Sequence, residues 1–326
     1  MKRLAPALIA LVAALALLPL ALPDYFLHIA VQILIWAFVY TAWSLMGRFG
    51  LVSLGHGAFF GIGAYGAALF WNFLGVSPWM GMAVSVAAAA ALALVVAYPA
   101  TRMRVLGHYY ALVTLALSQI VFLSIIALRD VTGGSLGMTQ RVVGHSWYAL
   151  QLPEQGQFYL LALAVWALGL VVWIWVDRGI GSKALEAINE DEGAAAAIGI
   201  NVTREKLRVT LVSAALTALG GGLYAQFIMY VNPDTVSGVG VSLQIVFAAI
   251  AGGMYTLLGP TVGALFTIAL TEGLRIAFGT SFVGAANTIY GVLLVLFTIF
   301  MPEGIVGRLE RIVLRRKVLE LGASKL

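Results

Sequence analysis

The sequence predicts an all-α polytopic membrane protein of about ten transmembrane helices, and three observations carry that prediction. Of the 326 residues 62% are apolar, and 19 Lys and Arg with 14 Asp and Glu bring the charged share to only 10%; a soluble domain is charged at roughly 25%. The charges are also clustered. They leave long charge-free runs at 4–23, 25–47, 49–101, 105–128, 155–176, 209–233, 235–271 and 276–302. A span takes about 20 apolar residues, and only helices or closed barrels satisfy their backbone in lipid. Because these runs lack the alternation of barrel strands, helices follow.

Two runs exceed one span. Gly75-Val76-Ser77-Pro78 and Leu258-Gly259-Pro260 divide them, since proline is accommodated in a first helical turn and disfavoured beyond it. In chain order the spans fall at 5–22, 28–46, 54–73, 79–98, 108–128, 158–176, 209–230, 241–258, 261–278 and 283–301. The first resembles a secretory signal, with Met1-Lys2-Arg3 before it and Ala21-Leu22-Pro23 at its end. Its apolar run is longer than the roughly 7–15 residues of a signal core, which favours a retained span. All ten belong to one transmembrane domain over 1–326, with an outer segment 129–157, an inner loop 177–208 and a basic tail 302–326.

Basic residues set the orientation. With the N-terminus inside, Lys2, Arg3, Arg48, Arg102 and Arg104, the basic residues of 177–208 and those after Pro302 all fall in the cytoplasm, and only Arg129 and Arg141 fall outside. Cytoplasmic loops carry the excess of Lys and Arg, so both termini are cytoplasmic. Equal numbers of spans on either side of 129–208 would put two halves in opposite orientations, the arrangement of an inverted repeat. Its only trace in the sequence is a Gly57-x-x-x-Gly61 and a Gly259-x-x-x-Gly263, each opening an apolar span.

Several chemistries drop out. There is no cysteine, which removes disulfides, thiolate metal sites and cysteine nucleophiles. Gly61-Ile62-Gly63-Ala64-Tyr65-Gly66 fits a dinucleotide fingerprint but lies within an apolar run with no acid about 20 positions on; small residues that let helices approach explain it better. Gly133-Gly134-Ser135-Leu136-Gly137 fits a nucleophile elbow, but no acid lies between it and the single later histidine, His145. His28, His56, His108 and His145 are too dispersed for a metal set. Neither an enzyme nor a cofactor is indicated. Glu272 and Arg275 are the charges well inside a span, and their spacing puts them on one helix face. Such residues suggest an ion or proton site, although mutual neutralisation accounts for this pair better.

The inner segment Lys183 to Ile198 is rich in helix formers and stops at Gly199. Leu185 and Ile188 share one face, as in a short amphipathic helix that lies on a membrane or docks in a partner's groove. Its acids disfavour anionic lipid.

The stretch Gly50-Leu51-Val52-Ser53-Leu54-Gly55-His56-Gly57-Ala58-Phe59-Phe60-Gly61-Ile62-Gly63-Ala64-Tyr65, with Tyr109-Tyr110-Ala111-Leu112-Val113-Thr114-Leu115 and Thr132-Gly133-Gly134-Ser135, resembles LivM-type permeases of branched-chain amino-acid ABC importers. Ala187 to Glu192, Gly199-Ile200-Asn201, Ser213-Ala214, Ala251-Gly252-Gly253-Met254, Leu258-Gly259-Pro260 and Met301 to Gly307 extend the resemblance to about residues 25–307. Asn189 stands where the family carries Arg, and Tyr255 where Gly follows the Gly-Gly-Met.

The resemblance implies a type II ABC importer permease in a bacterial plasma (inner) membrane. Its expected partners are a LivH-type permease subunit, two cytoplasmic ATP-binding subunits, an extracytoplasmic substrate-binding protein and membrane lipid, with no nucleic acid. Helix 183–199 would be the coupling helix. Leu185, Glu186, Ile188, Glu192 and Gly199 are its candidate coupling residues, although Glu192-Gly193-Ala194-Ala195 and Gly199 match the EAA-x-x-x-G signature only with one extra residue. Independently, the sequence has no G-x-x-x-x-G-K-[ST] loop, so ATP must be handled elsewhere if it drives transport. Polar residues near apolar helices, Ser53, His56, Tyr109, Thr114, Gln119, Thr132 and Ser135, are the candidate translocation path, or else interhelical hydrogen-bonding groups. Urea, amides or aromatic acids are alternative cargoes, and a proton-coupled secondary carrier is the alternative outside this class.

Overall fold

A computed structural model of the chain describes residues 4–105, 107–278, 283–301, 303–309 and 311. Met1-Lys2-Arg3 and most of the basic tail 302–326 therefore lie outside the described residues. The chain folds as α1 (Leu4–Ala16), a 3-10 turn at Leu18–Leu20, α2 (Asp24–Gly47), α3 (His56–Leu74), α4 (Pro78–Arg102) and α5 (His108–Ala127). After these come α6 (Arg129–Thr132), a 3-10 turn at Gly134–Leu136, β1 (Met138–Thr139), α7 (Gln155–Arg178), α8 (Ile180–Glu190) and α9 (Glu192–Ala197). The remainder is α10 (Val202–Ile228), β2 (Tyr230–Val231), α11 (Pro233–Val236), α12 (Gly238–Gly252), α13 (Gly259–Phe278) and α14 (Val283–Phe300). This is an all-α polytopic membrane fold.

Helices occupy all ten predicted positions, but among the described residues seven are long and apolar enough to cross a membrane: α2, α3, α4, α5, α7, α10 and the Pro233–Gly252 run of α11 and α12. With 13 residues, α1 is too short alone. Three boundaries differ from the sequence reading for local reasons. The predicted span 241–258 ends at Gly252, because Gly253 turns the backbone to φ +119. Instead of starting at 209, α10 begins at Val202, where the Asn201 side chain accepts from the Arg204 N–H at 3.0 Å; this is an N-cap. Finally, α4 runs through Pro99 to Arg102, past a proline that removes one intrahelical donor.

Burial explains the layout. From Leu34 to Gly47 every residue of α2 is buried, as expected of a helix apolar all round, and α7, α10 and α13 surround it. On α10, α3 and α4 pack side by side and against each other. Glycines allow that crossing: a Cβ on Gly63 would lie 1.9 Å from the Ala218 carbonyl oxygen, and one on Gly221 2.0 Å from that of Phe60.

At one end of the bundle β1 pairs antiparallel with β2, Met138 opposite Val231. The loop that follows β1 is pinned to the ends of α3 and α4. Trp71 Nε1 donates to the Arg141 carbonyl at 2.7 Å, Ser77 Oγ to that of Tyr148 at 2.5 Å and Trp79 Nε1 to that of Trp147 at 2.9 Å. The opposite end carries α8 and α9.

Candidate functional site

The segment between α2 and α3 turns at Gly50, whose φ is +75 and whose α-carbon faces the Asn189 side chain. Beyond that turn, polar atoms are consumed locally. Trp43 Nε1 donates to the Ser53 carbonyl at 2.9 Å, Ser53 Oγ accepts from the Gly55 N–H at 3.1 Å, and Thr114 Oγ1 accepts from the Leu54 N–H at 3.0 Å. The first N–H groups of a helix have no partner within it. Here Ser242 of α12 supplies one, accepting from the Gly57 N–H at 3.0 Å while lying 2.9 Å from Ser118 Oγ of α5. No side chain is tolerated at Gly57, where a Cβ would stand 2.4 Å from the Gly238 carbonyl oxygen.

His56 is fully buried, its Nε2 2.8 Å from Ser213 Oγ of α10. Because Ser213 donates its one proton to the Ala42 carbonyl at 2.7 Å, His56 donates from Nε2, and its Nδ1 has no partner. A helix-to-helix tie results, joining α2, α3 and α10.

Of the predicted path residues, the structure therefore brings Ser53, His56 and Thr114 together as one buried knot. Thr132 lies apart and donates to the Ile125 carbonyl at 2.6 Å. Ser135 and Tyr109 are exposed, and Gln119 is half-buried with no hydrogen-bond partner among the described residues. Ser118, Ser213 and Ser242, which complete the knot, escaped the sequence reading. The available signal was a small hydroxyl within an apolar helix, which in membranes marks a helix contact.

At the other end, the predicted single helix 183–199 is two helices. Asp191 leaves the helical region at φ −154 and ψ 110, and its Oδ1 accepts from the Ala194 N–H at 2.9 Å, capping α9. Asp191 thus ends one helix and starts the next. Gly199 ends the motif at φ +92, a conformation that favours glycine. Leu185 and Ile188 do not face outward. Both are buried against Leu45, Met46, Phe49 and Val209 of their own chain, so the apolar face anchors the helix. Glu192 is likewise engaged inward, 2.5 Å from Lys206 Nζ of α10. Glu186, Glu190, Ala194, Ala196 and Ala197 remain exposed with Gly199. Placing Lys at Leu185 should accordingly destabilise the chain itself, by about 3 kcal/mol or more for an unpaired buried charge. The readout is a lowered thermal midpoint of the purified chain with no ATPase present.

Beneath these helices, Arg48 closes α2 onto α7. Its Nη1 donates to Asp177 Oδ1 at 3.0 Å and its guanidinium stacks 4.0 Å from the Trp173 ring centre. Burial pulls the Arg48 pKa below its ordinary value, with Asp177 opposing the shift. Among the described residues, no three His, Asp or Glu side chains gather as a metal set.

Residues 25–301 match the family described as branched-chain amino acid transport system / permease component. The high-affinity branched-chain amino acid transport system permease protein LivM of Escherichia coli is 27% identical over 80% of this chain and 65% of its own length. The corresponding LivH protein of the same organism is 30% identical over 56% of this chain and 57% of its own. The guanosine ABC transporter permease protein NupQ of Bacillus subtilis is 26% identical over 67% and 72%. This chain thus spans about two thirds, slightly less, of the LivM length. The Gly50–Tyr65 knot and the α8–α9 pair both lie within the matched region, and the chain belongs to the branched-chain amino acid transport system / permease component family.

Proposed function

We propose that this chain is the membrane permease subunit of an ABC importer and forms half of a path for branched-chain amino acids. In this reading it pairs with a LivH-type subunit, couples to two cytoplasmic ATP-binding subunits and receives cargo from an extracytoplasmic binding protein. It is embedded in the inner membrane with both termini in the cytoplasm. The observation that carries the reading is the α8–α9 pair: two short helices fastened to the chain's own core by Leu185, Ile188 and Glu192, with an opposite face left free. A chain that binds no ATP needs a rigid surface of this kind to receive force from a chain that does.

The open side of α5 supports a path shared with a second subunit. Tyr109 and Gln119 lie on that side or at its edge, and an amide without a hydrogen-bond partner is costly to leave against lipid. The likeness to a guanosine permease favours a second reading, a nucleoside cargo on the same permease. A proton-coupled carrier fits less well, because Glu272 is held at 2.6 Å by Arg275.

The test is uptake by the full complex in proteoliposomes. Labelled leucine should accumulate only with ATP and the ATPase present, and a proton ionophore at fixed ATP should not abolish it. Accumulation that needs a proton gradient instead of ATP would overturn the reading. Reporter fusions at residues 145 and 190 should read outside and inside respectively, and the reverse would invert the topology. Glu190→Lys, on the free face, should cut ATPase stimulation severalfold while leaving the thermal midpoint unchanged.

A further inference from the structure

The end of the bundle that carries β1 and β2 has an open cavity of about 300 Å³ among α2, α10, α11, α12 and α13. That volume sits at the lower limit for small-molecule sites. Two carboxylates line it from different elements, Asp234 of α11 and Glu272 of α13, and no Lys or Arg does. Glu272 is oriented by Arg275, whereas Asp234 has no cationic partner among the described residues. A pair of acids alone specifies nothing.

The lining is also aromatic. Trp36, only 6% exposed, lines the cavity, and its indole N–H meets no acceptor among the described residues. That N–H keeps contact with solvent space and can donate to an acceptor that enters the cavity. Tyr224, which packs edge-on against Trp36 at 5.7 Å, adds a second ring and a hydroxyl. Gln244 Nε2 is directed to Tyr40 Oη at 3.2 Å and Gln32 to His28 at 3.0 Å. The remainder of the lining includes apolar Val241 and Ile268.

Carboxylates that share a cavity with an electron-rich ring select an ammonium group through charge and cation–π attraction. An unpartnered N–H nearby selects an oxygen acceptor. We infer that this cavity is a binding site for a small zwitterion, its ammonium between Asp234 and Glu272 and its carboxylate toward Trp36 Nε1. This rests on the amino-acid reading above and adds a site to it: cargo would pause within this chain itself. None of the path residues proposed from the sequence lines it.

The experiment uses the complete permease complex in nanodiscs and follows its thermal midpoint against L-leucine, 3-methylbutylamine, which has only the ammonium, and 4-methylpentanoate, which has only the carboxylate. L-Leucine should raise the midpoint, the amine should raise it less, and the acid should leave it unchanged. Asp234→Asn, at an exposed and unpaired position, should weaken the leucine response at least tenfold in concentration without moving the unliganded midpoint. Trp36→Phe keeps the ring and removes the donor, and should weaken leucine but not the amine. Asp234→Asn responding like the parent would overturn the site, as would an equal response to the acid. A shift with sodium chloride that choline chloride does not give would assign the cavity to a metal cation instead. ATP-driven leucine uptake by the unaltered complex is measured in parallel. If uptake persists while these binding results fail, the cavity assignment falls and the transport reading stands; if uptake fails, the transport reading falls.

Discussion

Leucine in place of Gly63 or Gly221 is expected to leave almost no folded protein. Both glycines sit where α3 and α10 cross backbone to backbone, and the atoms that a Cβ would strike, the carbonyl oxygens of Ala218 and Phe60, are main-chain atoms. A flexible side chain could swing aside, but a helix backbone moves only as a unit. The crossing also carries His56 on Ser213 and Gly222 beside the Gly63 carbonyl, so separating the helices undoes those contacts together. The cost should lie at or above the top of the roughly 1–3 kcal/mol seen for overpacked cores. Gly273 on α13 is the control, with nothing within 4 Å of its Cβ position. Gly273→Ala should be neutral, or stabilising by up to about 1 kcal/mol through helix propensity. Size-exclusion profiles of detergent-extracted protein decide the matter. A monodisperse Gly63→Leu peak at parental yield would show that the crossing is looser than described.

The same packing logic explains why polar residues in the signature stretch end as ties. In lipid no hydrophobic drive separates helix from solvent, so association rests on close contact and interhelical hydrogen bonds. Ser53, His56, Thr114, Ser118, Ser213 and Ser242 gather where α3 begins. That knot holds the α2–α3 turn, and Gly50 in that turn abuts Asn189 of α8. A push on α8 thus has a short rigid route to the start of α3. Transmission of this kind needs a second arrangement of the same contacts, and the backbone turn at Gly50 is where one would begin.

Much of this was legible in the residues. Charge-free runs located the helices because excluding charge from lipid is a local property of each run, and Gly75 and Pro78 marked a break that the chain does make, with Gly75 at φ +63. The direction of each face was not legible. Periodicity presents Leu185 and Ile188 as a face for a membrane or a partner, yet the chain covers them with Met46 and Phe49, residues far away in sequence. Helical periodicity says that a face is apolar and not what buries it. The break at Asp191 was hidden for a related reason: good helix formers flank it, but an acid that can cap the next helix competes with helix continuation. The cavity beside Trp36 was out of reach, because its lining comes from five helices and only the fold joins Gln32 to Asp234.

The largest single effect expected on the inner surface belongs to Lys206. Its ammonium is 2.5 Å from Glu192, with the two side chains 5% and 14% exposed. Removing one member of a buried pair leaves the other charged and desolvated, at about 3–5 kcal/mol, whereas replacing both by apolar residues of similar size is often neutral or better. Lys206→Met should therefore lower the thermal midpoint sharply and release α9 from α10, seen as new proteolytic cleavage near residues 191–201. Glu192→Leu combined with Lys206→Met should restore the midpoint and remove the cleavage. Because α9 carries part of the face proposed to meet the ATPase, the single variant should also lose ATPase stimulation, and the double variant should regain most of it. Recovery of stability without recovery of stimulation would assign the carboxylate of Glu192 a direct part in coupling. A Lys206→Met protein within about 1 kcal/mol of the parent would mean instead that water reaches the pair and that α9 is held by Ala195 and its cap alone.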